Sequence, residues 1–306
     1  MLRRLDIWRS AIIRTPVDRL QQSDLTADNI VWLPDTEERF TFRADPFGLW
    51  EGDKLHVFVE RFDYRILKGE IEALTFDREL RFLGSRLVLN EAWHLSYPFL
   101  FRESEKVWML PEANRSGRLT LYRARQFPFE WEVAAVLEIA PEAVDATPFL
   151  HHGRWWLVYG VVGEDRRSCA LHLAFADRLT GPWHPHPLNP VRSGLVGTRP
   201  AGTPIIRRGV IEIPIQDGSR TYGGGVRKLK VLRLDESHFE AEDEPWLEPS
   251  PTLAPFDAGV HTVSAAGDIS LIDCKRTERS VGGTLARRRG KLARRMRRRD
   301  GAEVSR

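Results

Sequence analysis

DATPFLHHGRWWLVYG, residues 145–160, contains the pattern that decides the fold. An aspartate is followed three residues later by a proline, then by an apolar run, a His-Gly turn and a second, strongly apolar run. A short glycine-containing connection between two runs rich in β-branched and aromatic residues is typical of a β-hairpin. The aspartate and the proline at its start need a separate explanation, because neither suits the interior of a buried strand.

The same pattern recurs along the chain at nearly constant spacing. Prolines mark four copies at Pro46, Pro98, Pro148 and Pro204, which are separated by 98 − 46 = 52, 148 − 98 = 50 and 204 − 148 = 56 residues. A fifth, proline-free copy, GVHTVSAAGDISLIDCK, occupies residues 259–275. A strand-rich repeat of this length is the sequence signature of a β-propeller.

The sequence therefore predicts an all-β fold with one five-bladed β-propeller over residues 1–274. We expect N-terminal residues to complete a blade and close the ring, and residues 275–306 to form a disordered or helical basic tail. The innermost strand of a blade has a neighbour on one side only, so a proline at its start loses no ladder hydrogen bond. The residue that opens such a strand lies at the mouth of the central channel. Asp45 and Asp145 are expected to meet there.

Composition limits the class of protein. The chain has 306 residues, of which 42% are hydrophobic, and this is enough for a sizeable core. Two cysteines, Cys169 and Cys274, indicate no disulfide framework and favour a reducing compartment. Asp6 and Arg9 interrupt the apolar N-terminal stretch, so no secretory signal is predicted. The expected location is the cytoplasm.

Charge is distributed unevenly. Residues 275–306 hold thirteen Lys and Arg against three Asp and Glu, a net charge of +10, so the +3 of the whole chain leaves 3 − 10 = −7 for residues 1–274. This acidic body does not predict specific nucleic-acid binding. Leu285, Leu292 and Met296 would form one stripe of a basic helix at an anionic membrane surface, with a solvated, disordered tail as the alternative. In both cases we expect the tail to be dispensable for folding, because it has few apolar residues.

The copies also carry a resemblance to known families. The phrases RADPF, HLSYPF, MLPEA, GRLTLYRA, FPFEW, DATPF and GRWWL follow in this order within residues 8–274. They resemble the N-terminal domain of the plant glucosamine inositolphosphorylceramide transferases and its bacterial relatives, and more distantly the five-bladed propellers of glycoside hydrolase family 43. The plant proteins carry a glycosyltransferase domain after this one. The resemblance therefore implies a carbohydrate-related propeller and does not by itself imply a transferase.

The resemblance to family 43 implies roles for residues at the mouth. That family opens blades one and three with an aspartate and places a histidine at blade five, and Asp45, Asp145 and His261 match these positions. Its general-acid glutamate opens blade four, where this chain reads RPAGTPI. Glu112 and Asp217, toward the ends of second strands, are the candidate replacements. Inverting glycosidases need one protonated and one ionised carboxyl group. We assign Asp45 as base or sugar ligand, Asp145 as tuning partner and Glu112 as acid.

Six side chains near the predicted mouth are candidates for substrate binding: His94, Ser96, Arg43, Trp50, Asp217 and His261. Aromatic rings stack on sugars, and arginine binds anionic sugars. Each type also has a structural alternative, since an aspartate before a strand often caps a turn and arginine pairs with acidic neighbours. No histidine, cysteine and carboxylate cluster has the spacing of a structural metal site, and the glycine-rich TYGGGVRK lacks a P-loop ending. Neither a metal nor another cofactor is predicted.

Two functions remain open. The leading hypothesis is a glycosidase-like enzyme that acts on a sugar or glycoconjugate at the channel mouth. The alternative is a non-catalytic domain that recognises a glycan or glycolipid and assists a separate glycosyltransferase. The paired aspartates favour the enzyme, and the missing blade-four acid favours the binding domain. A structural scaffold, the third class, would leave the mouth apolar or plugged.

Overall fold

The computed structural model describes residues 2–140, 142–163 and 168–299. Strands dominate these residues and form five antiparallel sheets, each of which is one blade. The all-β, five-bladed propeller predicted from the repeat is therefore confirmed.

Each blade is built from strands that are consecutive in the chain, except the last. Blade one contains β3 (Thr41–Glu51), β4 (Lys54–Asp63), β5 (Lys68–Phe76) and β6 (Phe82–Leu89). Blade two contains β7 (Ser96–Glu103), β8 (Lys106–Glu112), β9 (Leu119–Gln126) and β10 (Glu130–Leu137). Blade three contains β11 (Val144–His151), β12 (Arg154–Val162), β13 (Cys169–Ala176), β14 (His184–Pro185) and β15 (Arg192–Gly194). Blade four contains β16 (Val196–Pro200), β17 (Ile205–Arg207), β18 (Val210–Asp217), β19 (Val226–Leu234) and β20 (Phe239–Leu247).

The fifth blade joins the two ends of the chain. It combines β21 (Gly259–Ala266) and β22 (Ile269–Arg279) with the N-terminal strands β1 (Arg4–Ile13) and β2 (Ile30–Trp32). Strand β1 pairs with β22 along its whole length, from Arg4 opposite Arg279 to Ile13 opposite Ser270. The predicted closure of the ring by N-terminal residues is thus confirmed. Single 3₁₀ turns lie at Gln22–Asp24, Asn114–Ser116 and Pro251–Leu253.

Apolar side chains fill the spaces between neighbouring blades. Five buried clusters alternate with the five sheets around the ring. Strand β12 shows how they form, because successive side chains of a strand point to opposite faces. Trp155 packs between blades two and three, and Trp156 packs between blades three and four. The adjacent tryptophans therefore serve two inter-blade cores.

Four inner strands carry a β-bulge. The register shifts after Ala44 in β3, after Ser96 in β7, after Val144 in β11 and after Val260 in β21. Asp45, Tyr97 and Asp145 occupy the first bulged position and have φ values of 50°, 42° and 50°. Bulges re-aim side chains and often lie beside functional sites. Here they turn the two predicted aspartates out of the ladder.

The bulge marks equivalent positions better than the proline does. Pro46 and Pro98 directly follow the left-handed residue of their strands. In blade three Ala146 takes that place, and Pro148 lies within the ladder opposite Leu157. Equivalent residues therefore have a spacing slightly different from that of the prolines.

Blade four departs from this pattern. Its inner edge is divided between β16 and β17, and Gly202 between them forms a parallel bridge with Val263 of blade five. The N–H of Val263 donates to the carbonyl of Ala201 at 2.7 Å, and the N–H of Thr203 donates to the carbonyl of Val263 at 3.2 Å. The segment that sequence comparison places at the head of blade four thus joins two blades.

Helix α1 (Val281–Arg299) follows the last strand directly. Residues 275–279 of the predicted basic tail extend β22 and pair with β1, and of the two expected states of the tail the rest of its described part is helical. No helix among the described residues is both long enough and apolar enough to cross a membrane.

Candidate functional site

Charged side chains from all five blades converge at one end of the channel, where inner strands begin and second strands end. Five buried acids lie there, and we call them the carboxylate cluster: Asp45, Glu60, Glu112, Asp145 and Asp273. The face of the propeller that carries this channel mouth is called the mouth face. Blade four supplies Arg199 and Gln216 to the cluster. Buried charges need partners, and the cluster divides into two linked groups.

Asp273 organises the first group. Its carboxylate accepts hydrogen bonds from the backbone N–H of Asp45 at 2.9 Å, of His261 at 3.2 Å and of Thr262 at 2.9 Å. It also contacts Nδ1 of His261 at 2.7 Å, so Nδ1 carries a proton. Nε2 of the same ring faces Oδ1 of Asp45 at 3.5 Å. Asp45 further accepts from the Thr262 hydroxyl at 2.8 Å and from the N–H of Tyr97 at 3.2 Å.

Arg199 holds the second group together. Its guanidinium contacts both oxygens of Asp145 and reaches Oε2 of Glu112 at 3.2 Å. Gln216 donates its amide to Oδ2 of Asp145 at 3.2 Å. Arg199 also lies over the ring of Tyr222, 5.4 Å from its centroid. One cation therefore faces two carboxyl groups, and a single positive charge cannot balance two negative ones.

Burial and crowding separate the proton affinities of these acids. Burial, together with the charges of Asp273 and Asp145, raises the pKa of Asp45 to about 6 although His261 opposes the shift. Burial and the charge of Asp145 raise the pKa of Glu112 to about 8 against the opposing effect of Arg199. Burial lowers the pKa of His261, but Asp273 and Asp45 outweigh it, and the net direction is upward. At neutral pH the cluster therefore holds one ionised and one protonated candidate.

Glu60 is the remaining acid. It lies on β4 opposite Ala44, as Glu112 lies on β8 opposite Ser96, so the two glutamates occupy equivalent places in blades one and two. Burial and four neighbouring carboxylates raise its pKa well above the usual value. Nε2 of His94 is 3.6 Å from Oε1 of Glu60. Glu60 is thus a second buried glutamate whose surroundings disfavour its ionised form.

Aromatic rings form one wall of the mouth. Trp8 stacks on His261 with 3.9 Å between ring centroids and an interplanar angle of 18°, and Tyr222 meets His261 edge-on. The glycine-rich β18–β19 loop presses on this stack, since a Cβ at Gly223 would lie 2.5 Å from Trp8. Lys275 is fully buried behind it, and burial lowers the pKa of its ammonium to about 8. Deeper in the channel the buried hydroxyl of Tyr97 accepts from the N–H of Gly202 at 2.7 Å.

Three of these residues have the donor set of a metal site. Ligand atoms of Asp45, His261 and Asp273 lie within 4.8 Å of one another. Their oxygen and nitrogen atoms already have backbone, hydroxyl and imidazole partners. A cation would have to displace these donors, so the arrangement fits a hydrogen-bonded group better than a ready ion site.

The predicted binding residues divide between the mouth and other places. His94 and His261 lie at the mouth, and Ser96 pairs with Glu112 at the start of β7. Arg43 does not reach the cluster. It forms a two-pronged ion pair with Glu72 at 2.8 and 3.0 Å.

Two further candidates lie outside the cluster. Trp50 is at the far end of β3 and donates its Nε1–H to Ala266 at 3.1 Å. Asp217 accepts from the N–H and hydroxyl of Ser219 at 2.9 and 2.6 Å and so caps a turn. Its neighbour Gln216 points into the cluster instead, because side chains alternate along a strand.

The sequence predictions left out two members of the carboxylate cluster, Glu60 and Asp273, and the cation beside it, Arg199. The sequence did contain a sign of Glu60: it precedes Glu112 by 112 − 60 = 52 residues, which is the spacing of the first two prolines. The sign of Asp273 was weaker, because it is only a single acid inside the apolar run SLIDC. Nothing in the sequence pairs Arg199 with Asp145 and Glu112.

Comparison with known proteins identifies the family. A sequence profile described as "Glucosamine inositolphosphorylceramide transferase 1, N-terminal" matches residues 31–249. The chain belongs to this family. The protein of that name from Oryza sativa subsp. indica is 35% identical over 210 residues, which is 65% of this chain and 27% of the relative. The Arabidopsis thaliana protein of the same name is 32% identical over 214 residues, 67% of this chain and 27% of the relative. The matched region is thus about a quarter of the length of these relatives.

Solved structures share the propeller. A family 117 glycoside hydrolase from Zobellia galactanivorans has a TM-score of 0.56 and 16% identity, with 79% of this chain and 88% of that chain covered. A Bacillus subtilis levansucrase in complex with oligosaccharides has a TM-score of 0.51 and 10% identity, with 68% and 69% covered. At these identities the likeness shows the fold alone, and function depends on the site.

Proposed function

We propose that this propeller is a carbohydrate-active enzyme of glycosidase type that acts on a sugar or glycoconjugate at the channel mouth. One observation carries the proposal. Asp45 and Glu112 belong to one buried cluster, and their surroundings set their pKa values to about 6 and about 8. Two carboxyl groups whose pKa values are pushed apart are the usual base and acid of glycoside hydrolysis.

The residues divide the reaction between them. Glu112 donates its proton to the glycosidic oxygen as the bond between that oxygen and the anomeric carbon breaks. Asp45 accepts a proton from a water molecule whose oxygen forms the new bond to that carbon. A free sugar and an alcohol leave, Asp45 releases its proton to solvent, and Glu112 takes a proton back from solvent. Asp145 is a positioning residue, because its charge raises the pKa of Glu112 and its oxygens hold Arg199.

Family membership suggests the first ligands to test. The plant relatives are named for glucosamine and inositolphosphorylceramide. Amino sugars, their nucleotide-activated forms and inositol phosphate headgroups are therefore the leading candidates for this site.

A non-catalytic role as a glycan- or glycolipid-recognition domain, which assists a separate glycosyltransferase, is the second candidate. The observation that favours it is the position of Arg199, which contacts both Glu112 and Asp145. A guanidinium that contacts both carboxyl groups suits a binding site, because its charge opposes the protonation of Glu112 that an acid catalyst needs. The scaffold alternative is disfavoured, because a scaffold would have an apolar or plugged mouth and this mouth contains five acidic side chains.

A screen of glycans and nucleotide sugars for binding and turnover tests the proposal. Asp45→Asn and Glu112→Gln keep shape and should each lower turnover about 100-fold or more. Asp217→Asn is the matched control, because that acid caps a turn outside the cluster, and its turnover should equal that of the wild type. Turnover should rise with pH near 6 as Asp45 ionises and fall near 8 as Glu112 ionises.

The outcomes separate the candidates. Binding without turnover, weakened by Asp45→Asn, would establish the recognition domain. Full turnover in both cluster variants would place the site elsewhere.

A further inference from the structure

Helix α1 lies on the mouth face. Strand β21 begins at the mouth, and β22 runs antiparallel to it, so β22 ends at the mouth and α1 starts there. The helix then crosses to the β4–β5 connection of blade one, which lies on the same face because β3 begins beside it. At Gly290 a Cβ would be 2.3 Å from the carbonyl oxygen of Tyr64, and Arg297 donates to the carbonyl of Ile66 at 2.8 Å.

Small residues dock the helix and fix its rotation. A Cβ at Gly283 would lie 3.0 Å from Leu5, and Ala286 is buried in the same interface. The hydroxyl of Thr284 accepts from the N–H of Arg3 at 3.0 Å, and Arg287 donates to the carbonyl of Arg4 at 2.8 Å. The helix therefore presents one defined side to the propeller and the opposite side to solvent.

The outward side is apolar along its centre and cationic at its edges. Val281, Leu285, Leu292 and Met296 are 66%, 57%, 61% and 58% exposed. Their separations of 4, 7 and 4 residues place all four on one stripe of an α-helix. Exposed cations flank the stripe, namely Arg288, Arg289, Lys291 and Arg295. Residues 281–299 contain eight arginines, one lysine and no acid, a net charge of +9.

We infer that the outward face of α1 docks on an anionic lipid bilayer and presents the channel mouth to the lipid headgroups. An apolar stripe flanked by arginine and lysine is the composition of helices that lie in the membrane interface. Each basic residue near an anionic surface adds to the attraction. Nucleic acid would use the cations but leave the four apolar side chains in water, so a bilayer fits the face better. The docking does not depend on the proposed function. The further statement that the ligand at the mouth is a glycan carried by the membrane does rest on the proposed function.

Vesicle co-sedimentation tests the docking. The full chain should bind phosphatidylcholine vesicles that contain phosphatidylserine and should not bind vesicles of phosphatidylcholine alone. Two triple variants that lose a similar amount of exposed apolar surface are compared. The first removes the stripe and keeps its charge: Leu285→Ser, Leu292→Ser and Met296→Ser. The second variant is the control and changes leucines on blades one, three and four: Leu83→Ser, Leu150→Ser and Leu232→Ser. These leucine side chains are 55%, 49% and 56% exposed. The stripe variant should bind at least about tenfold more weakly, and the control should bind like the wild type.

Quenching by spin-labelled lipids tests the orientation. Both native cysteines are buried, so single exposed sites can be labelled. A fluorophore on Glu37→Cys, in the segment that leads into β3 on the mouth face, should be quenched by vesicle binding. A fluorophore on Asp53→Cys, in the β3–β4 turn at the opposite face, should not be quenched.

Each contrary result overturns the inference. Equal binding to both vesicle types, unchanged binding of the stripe variant, or stronger quenching at residue 53 than at residue 37 would each do so. Displacement by RNA with no effect of the stripe variant would indicate a polyanion partner instead. Asp45→Asn should bind vesicles like the wild type, so failure of docking and failure of the proposed function are separate results.

Discussion

At the scale of single residues, Asp45 and Asp145 share an unusual backbone conformation. Both have φ of 50°, a left-handed conformation that costs a non-glycine residue on the order of 1–3 kcal/mol. The bulge that requires it frees the N–H of Asp45 to donate to Asp273 at 2.9 Å. It also aims both carboxylates at the channel axis. Strain at two equivalent positions thus coincides with the place where the blades bring their charges together.

The protonation of Glu112 has a consequence for stability. A carboxyl group whose pKa is about 8 in the folded state and near 4.5 when unfolded stabilises the fold at acid pH and loses that contribution as pH rises through 8. Each pKa unit corresponds to about 1.4 kcal/mol, so the loss reaches a few kcal/mol. We expect Glu112→Gln to unfold at a higher temperature than the wild type at pH 9 and at a similar temperature at pH 4. Thermal unfolding followed by circular dichroism measures this.

The control for that experiment is Glu248→Gln, which changes an exposed acid next to β20 of blade four. This variant should unfold at the same temperature as the wild type at pH 9 and at pH 4. If Glu112→Gln is instead less stable at pH 9, Glu112 is ionised and its ion pair with Arg199 stabilises the fold.

At the scale of elements, the inner edge of blade four is the exception that links two blades. Gly202 has φ of 137°, and a Cβ there would lie 1.7 Å from the carbonyl oxygen of Val263. This approach leaves no room for any side chain, so Gly202→Ala must separate the inner strands of blades four and five. The hydroxyl of Tyr97 would also lose its bond to the N–H of Gly202.

We expect Gly202→Ala to destabilise the protein by about 3 kcal/mol or more, because overpacking and backbone strain add together. Gly84→Ala is the matched control, since Gly84 has φ of 153° and open space around its Cβ position. Chemical denaturation of both variants separates the clash from the backbone effect. Equal stability of the two would mean that the bridge between the blades contributes nothing.

At the scale of the whole molecule, the N-terminal strand closes the ring. Strand β1 forms ten residue pairs with β22, and its Leu5, Ile12 and Ile13 are fully buried. Removing residues 1–13 would expose the edge of β22 and open two inter-blade cores. We expect the shortened chain to be insoluble or unfolded.

Removing residues 281–306 should have a much smaller effect, because α1 docks mainly through glycine and alanine. We expect the unfolding temperature to fall by less than about 5 °C and the near-ultraviolet circular dichroism to stay unchanged. Collapse of the fold in this truncation would show that the helix is part of the propeller. The predicted cytoplasmic location remains a prediction.

The number of blades and the identity of the two mouth aspartates could be read from the sequence alone. Hairpin heads, turns and strand alternation are local properties, so they repeat visibly every fifty or so residues. Alternation along a strand is equally local, and it explains why Trp155 and Trp156 face opposite sides of β12.

Only the tertiary structure decided which charges meet. Asp45 and Asp273 are 228 residues apart in the chain, and Arg199 is 54 residues from Asp145. Their contacts depend on closure of the ring and on bulges that shift register by one residue, which turns a side chain to the other face. Alternation of side chains along β18 brings Gln216 into the cluster and leaves Asp217 outside it. The rotation of α1 was likewise set by glycines that fit against the propeller, and this packing is what leaves its apolar stripe facing outward.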